Sequence, residues 1–89
     1  MKLLIIDDHD IVRQGVRRLL SLLPDSVVAE AGTAEEGFDV YMREKPAVVV
    51  LDINLGGGSG LELLTRLRSA DQEARVVMFS MHADPAYAN

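Results

Sequence analysis

With 89 residues the chain has room for one small domain and not for two, and a domain of this size buries only roughly 60–65% of the surface its unfolded form exposes. A composition of 48% hydrophobic and 26% charged residues is globular, and apolar runs as short as Ala47 to Leu51 exclude a bilayer span. The absence of cysteine excludes disulfides and thiolate sites, and 9 basic against 14 acidic residues, net −5, argue against this segment gripping a phosphate backbone, so that any DNA contact lies elsewhere.

The chain opens on Lys2 to Ile6, a short run, apolar from Leu3, that stops at Asp7, as a strand buried on both faces should. The stretch is too brief for a signal peptide and runs straight into acids, which points to a cytoplasmic protein. From Asp10, the expected N-cap, apolar residues fall at Val12, Val16, Leu19, Leu20 and Leu23, the spacing of a helix, with Arg13, Arg17 and Arg18 off that stripe. Pro24-Asp25 stops the helix, Ser26 to Ala31 forms a second strand, and Gly32-Thr33 turns the chain. Thr33-Ala34-Glu35-Glu36 is a capping box that opens a helix carrying Phe38, Val40, Tyr41 and Met42, closed by Lys45-Pro46.

Ala47 to Leu51 reads as a third buried strand, ending at Asp52. The glycine-rich stretch Gly56-Gly57-Gly58-Ser59-Gly60 leads into a helix with Leu61, Leu64 and Leu67 inward, and Arg75 to Phe79 is a fourth strand ending at Ser80. Asp84-Pro85 reads as an N-cap followed by proline at the first helical position, so that a helix starts just before Asn89; residues 1–89 are accordingly expected to be a domain incomplete at its C-terminus. Strands alternating with helices imply an α/β fold, a doubly wound parallel sheet of order 2-1-3-4 with right-handed crossovers and helices on both faces.

In open parallel sheets, ligands bind beyond the carboxyl ends of the strands where the strand order reverses. The residues at those ends are Asp7-Asp8, Asp52 and Ser80, and neighbouring strands, about 4.8 Å apart, bring the acids together. Clustered carboxylates repel one another unless a cation sits among them, and a hard-oxygen set suits Mg²⁺. A carboxylate beside such an ion can attack phosphorus, and the Ser80 hydroxyl is placed to bond phosphoryl oxygens.

The strings Leu3-Leu4-Ile5-Ile6-Asp7-Asp8-His9-Asp10, Val48-Val49-Val50-Leu51-Asp52-Ile53-Asn54 and Val76-Val77-Met78-Phe79-Ser80, in this order at the strand ends, closely resemble the receiver domain of bacterial response regulators. The segments His9 to Gly15 and Phe79 to His82 look most like its NarL/FixJ subgroup, whose members usually carry a C-terminal helix-turn-helix domain of the LuxR type. The resemblance implies a flavodoxin-like fold and a signalling module rather than an enzyme. It implies that Asp52 accepts a phosphoryl group from a sensor histidine kinase, that Asp8, Asp52 and the backbone carbonyl of Asn54 ligate Mg²⁺ with Asp7 acting through water, and that Ser80 follows the phosphoryl group as the switch. The output would be transcription regulation, with DNA bound through an output domain this segment lacks.

Two departures stand out. The family lysine and switch aromatic lie on a fifth strand that the chain does not reach, and Gly56 stands where the family commonly has proline, which predicts a more mobile loop. The truncated sheet edge predicts pairing with a second copy, a homodimer formed by domain swapping. His9 and His82 flank the proposed pocket and read as solvated loop residues, Arg17 and Arg18 as the wet face of a helix, and Phe38 and Tyr41 as packing. Two rival readings are an inactive receiver-like interaction module and a haloacid-dehalogenase-type phosphohydrolase, with Asp8 as nucleophile and Asp10 as general acid in Asp8-His9-Asp10-Ile11-Val12.

Overall fold

The computed structural model describes residues 1–55 and 58–80. Its elements alternate as expected: β1 (Lys2–Ile6), α1 (Asp10–Leu20), β2 (Val27–Ala31), α2 (Ala34–Glu44), β3 (Val48–Asp52), a small pair β4 (Asn54–Leu55) and β5 (Gly58–Ser59), α3 (Gly60–Ala70) and β6 (Val76–Phe79). The main sheet has the order β2-β1-β3-β6 with every pairing parallel, which is the expected 2-1-3-4 once the two-residue strands are set aside. The antiparallel β4–β5 ribbon was not foreseen, because two residues are too few to show a period in a glycine-rich stretch. Gly56, Gly57 and everything from Met81 onward, including His82 and the expected helix start at Asp84-Pro85, lie outside the described residues.

Central position explains the unbroken apolar runs. Leu3, Leu4, Ile5 and Ile6 of β1 and Val49 and Leu51 of β3 are buried, because helices cover both faces of the sheet. Leu4 and Ile6 join Val40, Tyr41, Leu63 and Leu67 in one core under α2 and α3, while Leu3 and Ile5, on the alternate positions, face the side of α1. Helix α2 starts as its capping box predicts, with the Thr33 hydroxyl accepting the Glu36 amide N–H at 3.1 Å, and ends at Lys45 in the left-handed region, φ 47°.

Helix faces diverge from the expected stripes in several places. Leu61 is exposed, whereas Gly60, Leu63 and Leu67 are buried and Leu64 packs on the core from a partly buried position, so the inward face of α3 is centred nearer Leu63 than the expected Leu61-Leu64-Leu67 stripe. Leu19 and Met42, in the last turns of α1 and α2, are likewise exposed, as is Leu23 in the turn that follows α1. The N-cap of α1 is His9 rather than Asp10, whose carboxylate instead pairs with Arg13 at 2.7 Å. Arg13, expected off the apolar stripe, is largely buried and turned toward the sheet.

Candidate functional site

The parallel register brings the acids together. Ile6 pairs with Leu51, so the chains leaving β1 and β3 emerge side by side, Asp7 and Asp8 from one and Asp52 at the end of the other. Asp7 is fully buried and Asp52 is 1% exposed, a rare burial for carboxylates. One ligand atom from each of Asp7, Asp8, His9 and Asp52 lies within 4.8 Å of all the others.

Local bonds orient these groups. Asp7 Oδ1 accepts the His9 amide N–H at 2.8 Å, and Asp52 Oδ1 accepts the Asn54 amide N–H at 3.0 Å, each carboxylate folding back on the residue two places on. The His9 ring stands across the acids, with Nδ1 3.0 Å from Asp7 Oδ1, 3.0 Å from Asp8 Oδ1 and 3.6 Å from Asp52 Oδ2. Sequence reasoning took His9 for a solvated loop residue. Its side chain is indeed 59% exposed and flanks the pocket as expected, but the turn from β1 into α1 brings the ring into contact with the carboxylates, which its place directly after the acid pair only hints at.

Electrostatics follow from this crowding. Burial pushes the Asp52 carboxyl above the usual carboxylate range; the Asn54 amide opposes the rise and the Asp7 charge adds to it. The hydrogen bond to Asp7 and the charge of Asp8 hold the His9 imidazole above its ordinary value. Asp7 Oδ2 is buried and has no hydrogen-bond partner among the described residues. A buried carboxylate oxygen without a donor, facing further carboxylates, is the arrangement a hard divalent cation completes, so the donor set fits Mg²⁺.

Ser80 sits one residue past Phe79, which pairs in register with Asp52, at the same end of the sheet. Asn54 is exposed at the start of β4, its backbone tied to Asp52. Asp10 is not in the cluster: its side chain is 77% exposed and turned to Arg13, which removes the general acid that the phosphohydrolase reading required. A cleft of about 310 Å³ adjoins the site, bordered by Asp8, Arg13, Glu30 and Thr33.

Fold and site together define a doubly wound α/β domain with a buried carboxylate pocket at the carboxyl end of its central strands. The chain matches the response regulator receiver domain over residues 3–89 and belongs to that family. It is 41% identical over 80 residues to the nitrate/nitrite response regulator protein NarL of Escherichia coli K12, an alignment covering 89% of this chain and 37% of NarL. The nitrate/nitrite regulator NarP of the same organism is 41% identical over 81 residues, 90% of this chain and 38% of NarP. Among solved structures, a LuxR-family two-component response regulator from Aurantimonas sp. SI85-9A1 superposes with a TM-score of 0.86 at 40% identity, over 98% of this chain and 63% of that one. The chain thus spans about two fifths of the length of these curated relatives and is a receiver domain of the NarL/LuxR type. No helix among the described residues is long and apolar enough to cross a membrane.

Proposed function

We propose that this domain is the phosphoacceptor of a two-component system and that Asp52 takes the phosphoryl group from a phosphohistidine of a sensor histidine kinase. The observation that carries this reading is the geometry of the Asp52 carboxylate: buried at the end of β3, one oxygen held by the Asn54 amide and the other turned toward the pocket beside His9. Oδ2 is then the nucleophile. Its lone pair forms the new bond to phosphorus as the phosphorus–nitrogen bond of the donor breaks, and the leaving imidazole takes up a proton from solvent. The Asn54 N–H fixes the carboxylate plane throughout.

Asp8, Asp52 and the Asn54 carbonyl would hold Mg²⁺, with Asp7 acting through water, and the ion when bound supplies positive charge to the phosphoryl oxygens. Ser80 donates its hydroxyl to a phosphoryl oxygen, and that bond favours the conformation with Ser80 turned inward. The response passes to transcription through a DNA-binding output region of the NarL/LuxR kind, in keeping with the regulators this chain resembles.

Intact-mass spectrometry after incubation with Mg²⁺ and a small acyl phosphate tests the assignment. One added phosphoryl group that disappears in Asp52→Asn is the expected result. Addition that persists in Asp52→Asn would move the acceptor elsewhere, and no addition to a longer chain that also carries the fifth strand with the family lysine would favour the interaction-module reading.

A further inference from the structure

We propose that Arg13 is a positioning residue for this site: its guanidinium, braced by Glu30, holds the backbone at Asp7 and so sets where the Asp7 and Asp8 carboxylates stand. The inference rests on the acidic pocket being the Mg²⁺ site of the proposed phosphotransfer.

Arg13 reaches out of the first turn of α1 with each nitrogen engaged. Nη1 donates to the Asp7 backbone carbonyl at 2.7 Å, Nε to Glu30 Oε1 at 3.2 Å, and Nη2 to Asp10 Oδ1 at 2.7 Å. Its side chain is 20% exposed and that of Glu30 25% exposed, so the pair is much drier than an ordinary surface ion pair. The Asp7 carbonyl stands where the β1–β2 ladder runs out. The Asp7 amide still donates to the Ala31 carbonyl at 3.1 Å, but β2 ends at Ala31, and the guanidinium supplies a donor to the Asp7 carbonyl beyond the last paired residue. Gly32 gives it room, since a Cβ there would stand 3.1 Å from Nη1.

That carbonyl belongs to the peptide joining Asp7 to Asp8. Fixing its plane fixes the directions in which two of the pocket's carboxylates leave the backbone. Arginine is the residue for the task because a planar fork can engage a carbonyl and two carboxylates at once, whereas an ammonium is a single point of contact. Groups standing behind metal ligands commonly change metal affinity about 10–100-fold when removed.

Isothermal titration calorimetry with Mg²⁺, together with thermal melts in metal-free buffer, tests the proposal on the full chain and three variants. Arg13→Ala should raise the Mg²⁺ Kd about tenfold or more, and Arg13→Lys, which keeps the charge but not the fork, should fall between it and wild type. Arg17→Ala is the control: Arg17 bonds the same Glu30, Nη1 to Oε2 at 2.9 Å, but touches no atom of the pocket, so it should lower the melting temperature while leaving the Kd within about twofold. An unchanged Kd in Arg13→Ala, or equal weakening in Arg13→Ala and Arg17→Ala, would overturn the positioning role. If Arg13→Ala fails to fold, Arg13→Lys decides, and a wild-type Kd there overturns the proposal. A wild-type chain that binds no Mg²⁺ would instead remove the reading on which the proposal stands.

Discussion

The two ends of the sheet treat polar groups in opposite ways. At the carboxyl end, Asp7 and Asp52 are buried among carboxylates, with an amide on one oxygen of each and an exposed imidazole across the mouth. At the amino end, the Tyr41 hydroxyl donates to Asp71 Oδ2 at 2.7 Å, and Asp71 Oδ1 accepts the Glu73 amide N–H at 3.0 Å. That cluster ties the end of α2 to the end of α3 with donors matched to acceptors, so it adds to stability. The acidic cluster lowers stability, because buried charge without sufficient opposite charge is unfavourable, and it keeps instead the capacity to bind a cation and attack phosphorus.

The largest effect is expected where the fold supports the acidic end. A Cβ on Gly60 would overlap the Asp52 carbonyl oxygen and stand 2.9 Å from Ile53 Cα, backbone atoms that cannot swing aside. Gly60→Ala should therefore cost about 3 kcal/mol in urea unfolding, at the upper end of overpacking penalties, and should weaken Mg²⁺ binding as well. A variant as stable as wild type would mean that α3 is not seated against β3 as described.

Asp52→Asn sharpens the contrast in the other direction. The Asp52 carboxyl is raised above its unfolded value, so its contribution to stability is present at low pH and is lost as the pH rises through the folded-state pKa. At neutral pH the buried charge is a burden, and replacing it with the neutral amide should stabilise metal-free protein by about 1–2 kcal/mol, seen as a melting point higher by several degrees. Mg²⁺ should close the gap by stabilising wild type more than the variant. A destabilised Asp52→Asn in metal-free buffer would show that the carboxylates are better compensated than their burial implies.

The smallest effect belongs to the matched end. Tyr41→Phe removes one hydrogen bond and should cost about 1 kcal/mol. Burial, and then the bond to Asp71, push the Tyr41 phenol up to about 12 from 10.0. A raised folded-state value means that its stabilisation is intact below pH 10 and is lost as the pH climbs toward about 12. Alkaline melts should show wild type losing this increment across that window and Tyr41→Phe losing less; parallel curves would mean that the phenol is free to ionise in the folded state.

Much of the site was legible because a buried parallel strand is a continuous apolar run, and the residue that ends it is placed by that fact alone. Asp7, Asp8 and Asp52 could be assigned to one pole from three such runs, and the register bears this out. The contacts of His9 with the acids and of Arg13 with the Asp7 carbonyl could not be assigned. Each residue follows a strand end by a few positions, and its direction depends on how the β1–α1 turn rotates the helix, which periodicity does not encode. Tyr41 was read as packing for the same reason: its burial was visible on the α2 stripe, while its partner Asp71 lies 30 residues away.

By itself the sequence determined the alternation of strands and helices, the parallel order, the acids at the strand ends and the cap of α2, all of which follow from patterns spanning a few residues or from chirality common to all such folds. Tertiary structure alone decided which leucine of α3 turns inward, that α1 begins after His9, that an imidazole stands over the acids, and that Arg13 meets the Asp7 carbonyl. Those outcomes depend on helix rotation and on contacts between elements distant in sequence, where a shift of one residue turns a side chain by about 100° and exchanges solvent for core.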